Sequence, residues 1–290
     1  MKKVIPLCLA VLTALSAFVL TRAADDDKKP MKILLVLGGC CHDYAVQKDI
    51  LKAGIESRIN ATVDIEYSPD TTVQAKFPIY EKDNWAEGYD VVLHDECSAN
   101  VTDPAYLKRI LDAHRGGVPA VNIHCAMHSY RWGNFKEAVE VGGDNAAWYE
   151  MIGIQSTGHG PKEPIDIQYT DKKHPITVGL ADWTTLEEEL YNNVQIFDSA
   201  HALATGHQMQ FPRVKKGQKK DPNAVGKNAQ AVVAWTNIYG PKETKIFSTT
   251  IGHFNETVAD DRYLDLVTNG LLWVTNNLSD DGSATEGIRK

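Results

Sequence analysis

The stretch Gly116-Gly-Val-Pro-Ala-Val-Asn-Ile-His-Cys-Ala-Met-His-Ser-Tyr-Arg131 decides the fold. Its short apolar run, Val118 to Ile123, gives way at once to His124, Cys125, His128, Ser129 and Tyr130. A buried strand that stops abruptly at reactive side chains is how an open α/β sheet presents chemistry at its carboxyl edge. Just upstream, Thr102 or Asp103 caps a helix with Pro104 in its first position, and Gly116-Gly117 ends it after His114. Further back, Lys32 to Leu37 is a continuous apolar run, the pattern of a strand buried on both faces, and it breaks at Gly38-Gly-Cys-Cys-His-Asp43. A helical pattern from Tyr44 to about Arg58, an alternating strand from Thr62 to Tyr67 and a strand from Tyr89 to Leu93 complete this half. Apolar strands alternating with helices predict a doubly wound parallel sheet. Polar pairs follow three predicted strands (His42-Asp43, His94-Asp95 and His124-Cys125), which predicts one crevice along the carboxyl edge. The loop from Ser68 to Gly88 carries Phe77, Tyr80 and Trp85 as aromatic groups able to rim it.

Beyond Arg131 the signals are weaker. A short helix is predicted at Trp148 to Ile152, a strand at Ile165 to Tyr169 and a mixed strand pattern at Val194 to Leu203. Pro212 to Asn228 has no apolar periodicity and reads as an exposed insertion. Ala231 to Tyr239 and Lys245 to Thr250 form a hairpin about Gly240-Pro-Lys-Glu243, and Gly252-His253 follows. The helix from Asp260 to Asn277 puts Tyr263, Leu266, Val267, Gly270, Leu271 and Val274 on one face. Residues 279–290 are expected to be a disordered tail. No Walker loop or Gly-x-Gly-x-x-Gly fingerprint supports nucleotide binding.

Lys2 and Lys3, the apolar Val4 to Leu20 and the small residues of Thr21-Arg-Ala23 have the layout of a secretory signal, residues 1–23, followed by a flexible acidic segment, residues 24–30. The expected mature protein is periplasmic or secreted, without stable membrane association; a retained anchor is the alternative, since 17 apolar residues approach a spanning length. The formal charge is −8, and losing Lys2, Lys3 and Arg22 brings it to −11. Such a surface disfavours nucleic acid and anionic membranes and suits a neutral small molecule. Cys40, Cys41, Cys97 and Cys125 remain after cleavage, and an oxidising compartment permits disulfides. Adjacent Cys40 and Cys41 are not expected to pair with each other.

His124 and His253, each after a predicted strand, are suited to proton transfer because an imidazole titrates near ~6.5. Both are also candidate metal ligands. No His-Glu-x-x-His or His-x-His spacing occurs, so ligands for a divalent metal such as Zn would have to converge from separate loops. His42, His94 and Asp95 are candidate substrate-binding groups, and Tyr130 and Trp132 beside the turn are candidate platforms for a sugar ring. A thiol hydrolase reading takes Cys125 as nucleophile, His253 as base and Glu256 as orienter.

Several short motifs, in order, resemble the trehalose-utilisation (ThuA-like) family. They are Lys32–Leu37 with its polar turn, Tyr89-Asp-Val-Val-Leu-His-Asp95, Gly116-Gly-Val-Pro-Ala-Val-Asn-Ile-His124, His174-Pro-Ile-Thr-Val-Gly-Leu180, Glu188-Glu-Leu-Tyr191, Val233-Ala-Trp235, Gly252-His253 and Gly270-Leu-Leu-Trp273. The likeness spans about residues 31 to 277, and the ThuA-like domain is expected over residues 31–278. It implies a flavodoxin-like, mostly parallel sheet with helices on both faces, similar to class I glutamine amidotransferases, with a histidine at the strand-to-helix turn where those enzymes carry cysteine. His124 matches that histidine; Asn122 stands where glycine is usual and Cys125 where a small residue is usual. The resemblance makes Glu189 a candidate general acid/base or metal ligand and Tyr191 a candidate substrate contact. It implies a place in carbohydrate catabolism, with acid–base chemistry on a sugar or 3-keto-glycoside: elimination, isomerisation or hydrolysis. The alternative is a non-catalytic glycan-binding protein on the same fold.

Overall fold

The computed structural model describes residues 1, 29–212, 217, 219, 221 and 223–290. The expected signal segment, most of the acidic segment after it and much of the Pro212 to Asn228 insertion lie outside the described residues. None of the described helices is long and apolar enough to cross a membrane.

The first half is built from β1 (Met31–Gly39), α1 (Tyr44–Arg58), β2 (Ala61–Ser68), β3 (Val91–Cys97), α2 (Pro104–Arg115), β4 (Ala120–Ile123) and α3 (Ala147–Ile152). The second half adds β5 (Ile154–Gln155), β6 (His159–Tyr169), β7 (Trp183–Tyr191), β8 (Gln195–Ile196), β9 (Ala200–Gln210), β10 (Lys227–Tyr239), β11 (Thr244–Thr249), α4 (Asn255–Val258) and α5 (Asp261–Val274). Nine strands form one mixed sheet in the order β2-β1-β3-β4-β11-β10-β9-β6-β7. From β2 to β11 every pairing is parallel, and from β11 to β7 every pairing is antiparallel.

The parallel half follows from strands apolar on both faces. Along β1, Ile33, Leu35 and Leu37 enter the core under α1 and α5, whereas Leu34 and Val36 enter the core under α2 and α3. Tyr44, Gln47, Leu51 and Ile55 are the buried stripe of α1, at the spacing that keeps side chains on one helix face. Asp103 caps α2, its side chain accepting from the Ala105 and Tyr106 amides, with Pro104 where no amide is needed. Strand exchange between β1 and its neighbours leaves no room at the end of the strand. A Cβ on Gly38 (φ +141°) would stand 2.5 Å from the Ser68 carbonyl oxygen, so only glycine fits there.

Three expectations change. Phe77, Tyr80 and Trp85 do not rim a site; they are buried against α2, where the Tyr106 hydroxyl accepts the Phe77 amide and the Trp85 indole donates to the Arg109 carbonyl. The polar cluster after Leu93 is not a strand end, because β3 runs on through His94, Asp95 and Glu96 to Cys97, paired with β1 to its last residue. Residues 279–290 are not a disordered tail. Ile288 is buried, its carbonyl accepts the Asn60 amide, and Arg289 bridges to Ile59 and donates to the Asn269 side chain.

Candidate functional site

β4 ends in a short 3₁₀ turn, His124 to His128, and His124 enters it at φ +40°. A side chain other than glycine rarely adopts such a backbone, and the strain is held by the turn's surroundings. The Trp148 indole donates to the Ala126 carbonyl, and the Ser129 hydroxyl donates to the Glu96 carbonyl. Asn122 fits before the turn because its amide donates to the Ser248 hydroxyl at 3.1 Å on neighbouring β11.

The turn aims the His124 ring at the end of the sheet, where two other loops meet it. His42 follows β1 and His253 follows β11, and the ring centroids of His42 stand 4.6 Å from both His124 and His253. One nitrogen from each of the three rings lies within 4.8 Å of the other two. The opposite nitrogens are occupied. His124 Nδ1 lies 2.7 Å from the Thr250 carbonyl oxygen, which makes it the protonated nitrogen and leaves Nε2 as the acceptor that faces the cluster. His42 Nδ1 is 3.4 Å from the His253 carbonyl oxygen, which also accepts from the Gln47 amide at 3.1 Å. Lys162 Nζ is 2.5 Å from His253 Nε2, so His253 Nε2 accepts and Nδ1 is turned inward.

Glu189, at the end of β7, flanks the three rings. Its carboxylate is 3.3 Å from His253 Nδ1 and 3.7 Å from His124 Nε2, with His159 Nδ1 at 3.5 Å and Lys162 Nζ at 3.8 Å. Burial alone would raise the pKa of this carboxyl, but the His253 contact and the charges of His159 and Lys162 outweigh it and hold Glu189 below its ordinary value. The preceding residue has a different role. Glu188 is fully buried and accepts the amides of His253 at 2.8 Å, Gly252 at 3.3 Å and Glu189 at 3.0 Å, which fixes the loop carrying His253. Burial pushes the Glu188 carboxyl upward despite those donors.

Burial also favours the neutral form of His42, His124 and His128. His42 is lowered to about 4, by desolvation first and the neighbouring His253 second. His124 and His128 are pushed well below the ordinary imidazole value, mainly by desolvation. Tyr191 closes one wall: its hydroxyl is 3.2 Å from His124 Nε2, and the His128 ring stacks on it at 4.0 Å and 3°. The resulting cavity, about 460 Å³, is lined by Tyr191, Glu189, His42, His128, Lys162 and Arg131 among others. That volume lies in the range of small-molecule sites.

The structure therefore brings together His124, His253, Glu189, Tyr191 and His42, and it separates four other candidates from them. His94 and Tyr130 belong to a sealed network on the α2 side, with Glu96 accepting from Tyr80 and Tyr130. Strand alternation is the reason: His94 and Asp95 are neighbours in β3 and must face opposite sides of the sheet. Asp95 lies beneath the crevice and does not line it, and burial raises its carboxyl pKa well above normal. Trp132 packs against the α2-side core. Lys162 and Arg131 carry no motif and were not foreseeable from sequence; Lys162 enters only because β6 pairs with β7, setting it across from Glu189.

The cysteines correct two expectations. Cys40 and Cys41 do pair with each other, the turn at Cys41 (φ +83°) bringing the neighbouring sulfurs together, and Cys97 pairs with Cys125. Cys125 thus presents no thiol to His253, and Glu256 is exposed while His253 is oriented by Glu189 and Lys162. The thiol hydrolase reading does not stand.

A mixed α/β sheet with a histidine and carboxylate crevice at the carboxyl edge of its parallel strands defines the class of protein. The sequence matches the family described as ThuA, trehalose utilisation, over residues 42–274, and the chain belongs to that family. Among solved structures, a ThuA-like protein from Parabacteroides merdae is similar at 19% identity and a TM-score of 0.58, covering 90% of this chain and 97% of that one. A ThuA-like protein from Bacteroides uniformis is similar at 15% identity and a TM-score of 0.58, covering 87% and 94%. A cytoplasmic protein from Salmonella typhimurium reaches a TM-score of 0.50 at 15% identity, covering 90% and 100%. These likenesses show a shared fold. None of the curated proteins matches the sequence.

Proposed function

We propose that this protein is an exported enzyme of carbohydrate catabolism that moves a proton at a carbon of a sugar or 3-keto-glycoside, with a divalent metal held by His42, His124 and His253. The observation that carries the reading is the convergence of three imidazoles, from three separate loops, beside a Glu189 held below its ordinary pKa.

The donor set suits such an ion. Three histidines with an open side are a ligand set of catalytic zinc sites, and imidazole also suits other first-row metals. His124 Nδ1 is tied to the Thr250 carbonyl, the outer contact that ligating histidines commonly make. His253 Nδ1 carries the ring proton, since Nε2 accepts from Lys162, and faces Glu189 Oε2 at 3.3 Å; an ion bound there would displace that proton. His42, expected to contact substrate, joins His124 and His253 in this set, and Glu189 is left as the proton-transfer group. A divalent ion there would polarise a sugar carbonyl or hydroxyl as a Lewis acid. Glu189 would accept a proton from one carbon and return it to the product at a neighbouring carbon or leaving oxygen, the nearby Lys162 charge favouring its ionised form before and after. The ring faces of Tyr191 and His128 form the apolar wall, and Arg131 on the cavity rim is placed for sugar hydroxyls.

The test is a screen of glycosides and their 3-keto derivatives, with product NMR, on protein stripped by chelator and reloaded with Zn²⁺ or Mn²⁺. The expected result is stoichiometric metal uptake, absent in His124→Ala, and turnover of one sugar class. Sugar binding by calorimetry without turnover in any metal form would replace this reading with the glycan-binding one.

A further inference from the structure

The four cysteines are absorbed by neither the fold nor the proposed chemistry, yet they sit together. Cys40 and Cys41 follow β1, Cys97 ends β3 and Cys125 follows β4, so the carboxyl ends of three adjacent parallel strands deliver four sulfurs to one place. Cys40 Sγ is 3.5 Å from Cys97 Sγ, which joins the two disulfides into a continuous sulfur chain. Exposure falls along that chain. Cys41 is exposed and Cys40 half-buried, whereas Cys97 and Cys125 are only 3% and 4% exposed. Cys41 is the sulfur most open to an external thiolate, whereas the inner pair meets solvent only as a small area of the cavity wall, and exchange requires access of the attacking thiolate to a sulfur.

We propose that Cys40–Cys41 is the entry disulfide of a thiol–disulfide relay that carries two electrons from a dithiol to Cys97–Cys125. A thiolate of the dithiol attacks Cys41 Sγ; the Cys40–Cys41 bond breaks and Cys40 leaves as a thiolate. Cys40 attacks Cys97 Sγ, forming Cys40–Cys97 and releasing Cys125, which takes up a proton. The second thiol of the reductant loses its proton and attacks its own mixed disulfide, leaving as a cyclic disulfide and freeing the Cys41 thiolate. Cys41 attacks Cys40, restores the entry disulfide and releases Cys97, which takes up the second proton. The dithiol is oxidised, Cys97–Cys125 becomes two thiols, and Cys40–Cys41 is unchanged. Each end of the relay adjoins the histidine cluster in sequence: His42 follows Cys41 and His124 precedes Cys125.

The relay is tested on the full chain with dithiothreitol, by acid quenching, alkylation and non-reducing peptide mapping by mass spectrometry. Wild type is expected to show both disulfides at the start and to lose Cys97–Cys125 about tenfold faster than C40S, which keeps the exposed Cys41 thiol but lacks the connecting sulfur. C41S lacks the resolving thiol, so a Cys40–Cys97 linked peptide with alkylated Cys125 is expected. Circular dichroism of C40S, C40A and C41S separates a lost relay from a lost fold, and C40A should reproduce C40S. Equal rates of Cys97–Cys125 loss in folded wild type and C40S would overturn the relay. So would C41S with Cys97–Cys125 intact and Cys40 alkylated, or wild type with four free thiols at the start.

Discussion

Two histidine clusters occupy the parallel half of this sheet, and only one is open to chemistry. On the α2 side, His114 Nδ1 donates to the Val118 carbonyl at 2.7 Å, which leaves its Nε2 to accept from His94 Nε2 at 3.0 Å. His94 Nδ1 meets Glu96 at 3.0 Å, and Tyr80 and Tyr130 saturate the same carboxyl oxygen at 3.1 Å each. Every direction is filled, and both histidines are fully buried. At the carboxyl edge, each of His42, His124 and His253 spends one nitrogen on a neighbour and turns the other toward a shared point beside a cavity. The contrast teaches that buried histidines mark a candidate site only when a set of their ring nitrogens is turned toward one shared point.

The two clusters should respond differently to mutation. The largest effect is expected at Glu189: Glu189→Gln removes the proton acceptor while keeping its shape, and should lower turnover about 10²–10⁴-fold with metal uptake retained, as measured by product NMR and elemental analysis. His94→Ala should do the reverse. Leaving Glu96 buried without its partner should cost about 3–5 kcal/mol in chemical denaturation, with metal uptake per folded protein unchanged. If His94→Ala removed metal and spared stability, the division between a structural and a functional cluster would be wrong.

A pH titration sharpens the comparison because burial lowers imidazoles in both clusters, His42 to about 4 and His114 to about 3. Unfolded histidines take up a proton below about 6.5, whereas these folded ones stay neutral until about 4 and 3. The unfolded state therefore binds more protons in that window. Stability should be level in this respect above 6.5, fall as the pH is lowered from 6.5 toward 4, and lose the His42 share of its slope in His42→Ala, as read by urea unfolding at stepped pH. The smallest effect is expected from Tyr191→Phe, which removes the hydroxyl 3.2 Å from His124 Nε2 but keeps the ring stacked on His128. Because that hydroxyl competes with an ion for the Nε2 lone pair, metal retention should tighten about threefold, read by competition with a chromogenic chelator.

Much of the parallel half was legible because one-dimensional patterns control it. Continuous apolar runs such as Lys32–Leu37 and Val118–Ile123 lie on β1 and β4, which flank β3, and Asp103-Pro104 marks the start of α2 within a residue. The second half was less legible, since β6, β7 and β9 are long antiparallel strands with one face partly exposed. The Glu-Glu-Glu run of β7 carries no apolar pattern to show which carboxylates turn inward, yet Glu188 and Glu189 are buried because they reach the end of β7 beside the His253 loop. The aromatic residues before β3 misled for the opposite reason: a loop without periodicity can still tuck large rings under a helix.

By itself, the sequence determined the α/β class, the ThuA family and the turn at His124, and it singled out His253 and Glu189 as candidates, because each rests on local pattern or on short motifs in order. The tertiary structure alone decided which polar residues meet. Strand alternation sent His94 to one face and Asp95 to the other, and parallel pairing gathered four cysteines from positions 40 to 125. The β6–β7 pairing brought Lys162 to Glu189 and His253. Periodicity fixes the face on which a side chain stands, but which strand lies beside it depends on sheet order, and that is a property of the whole chain.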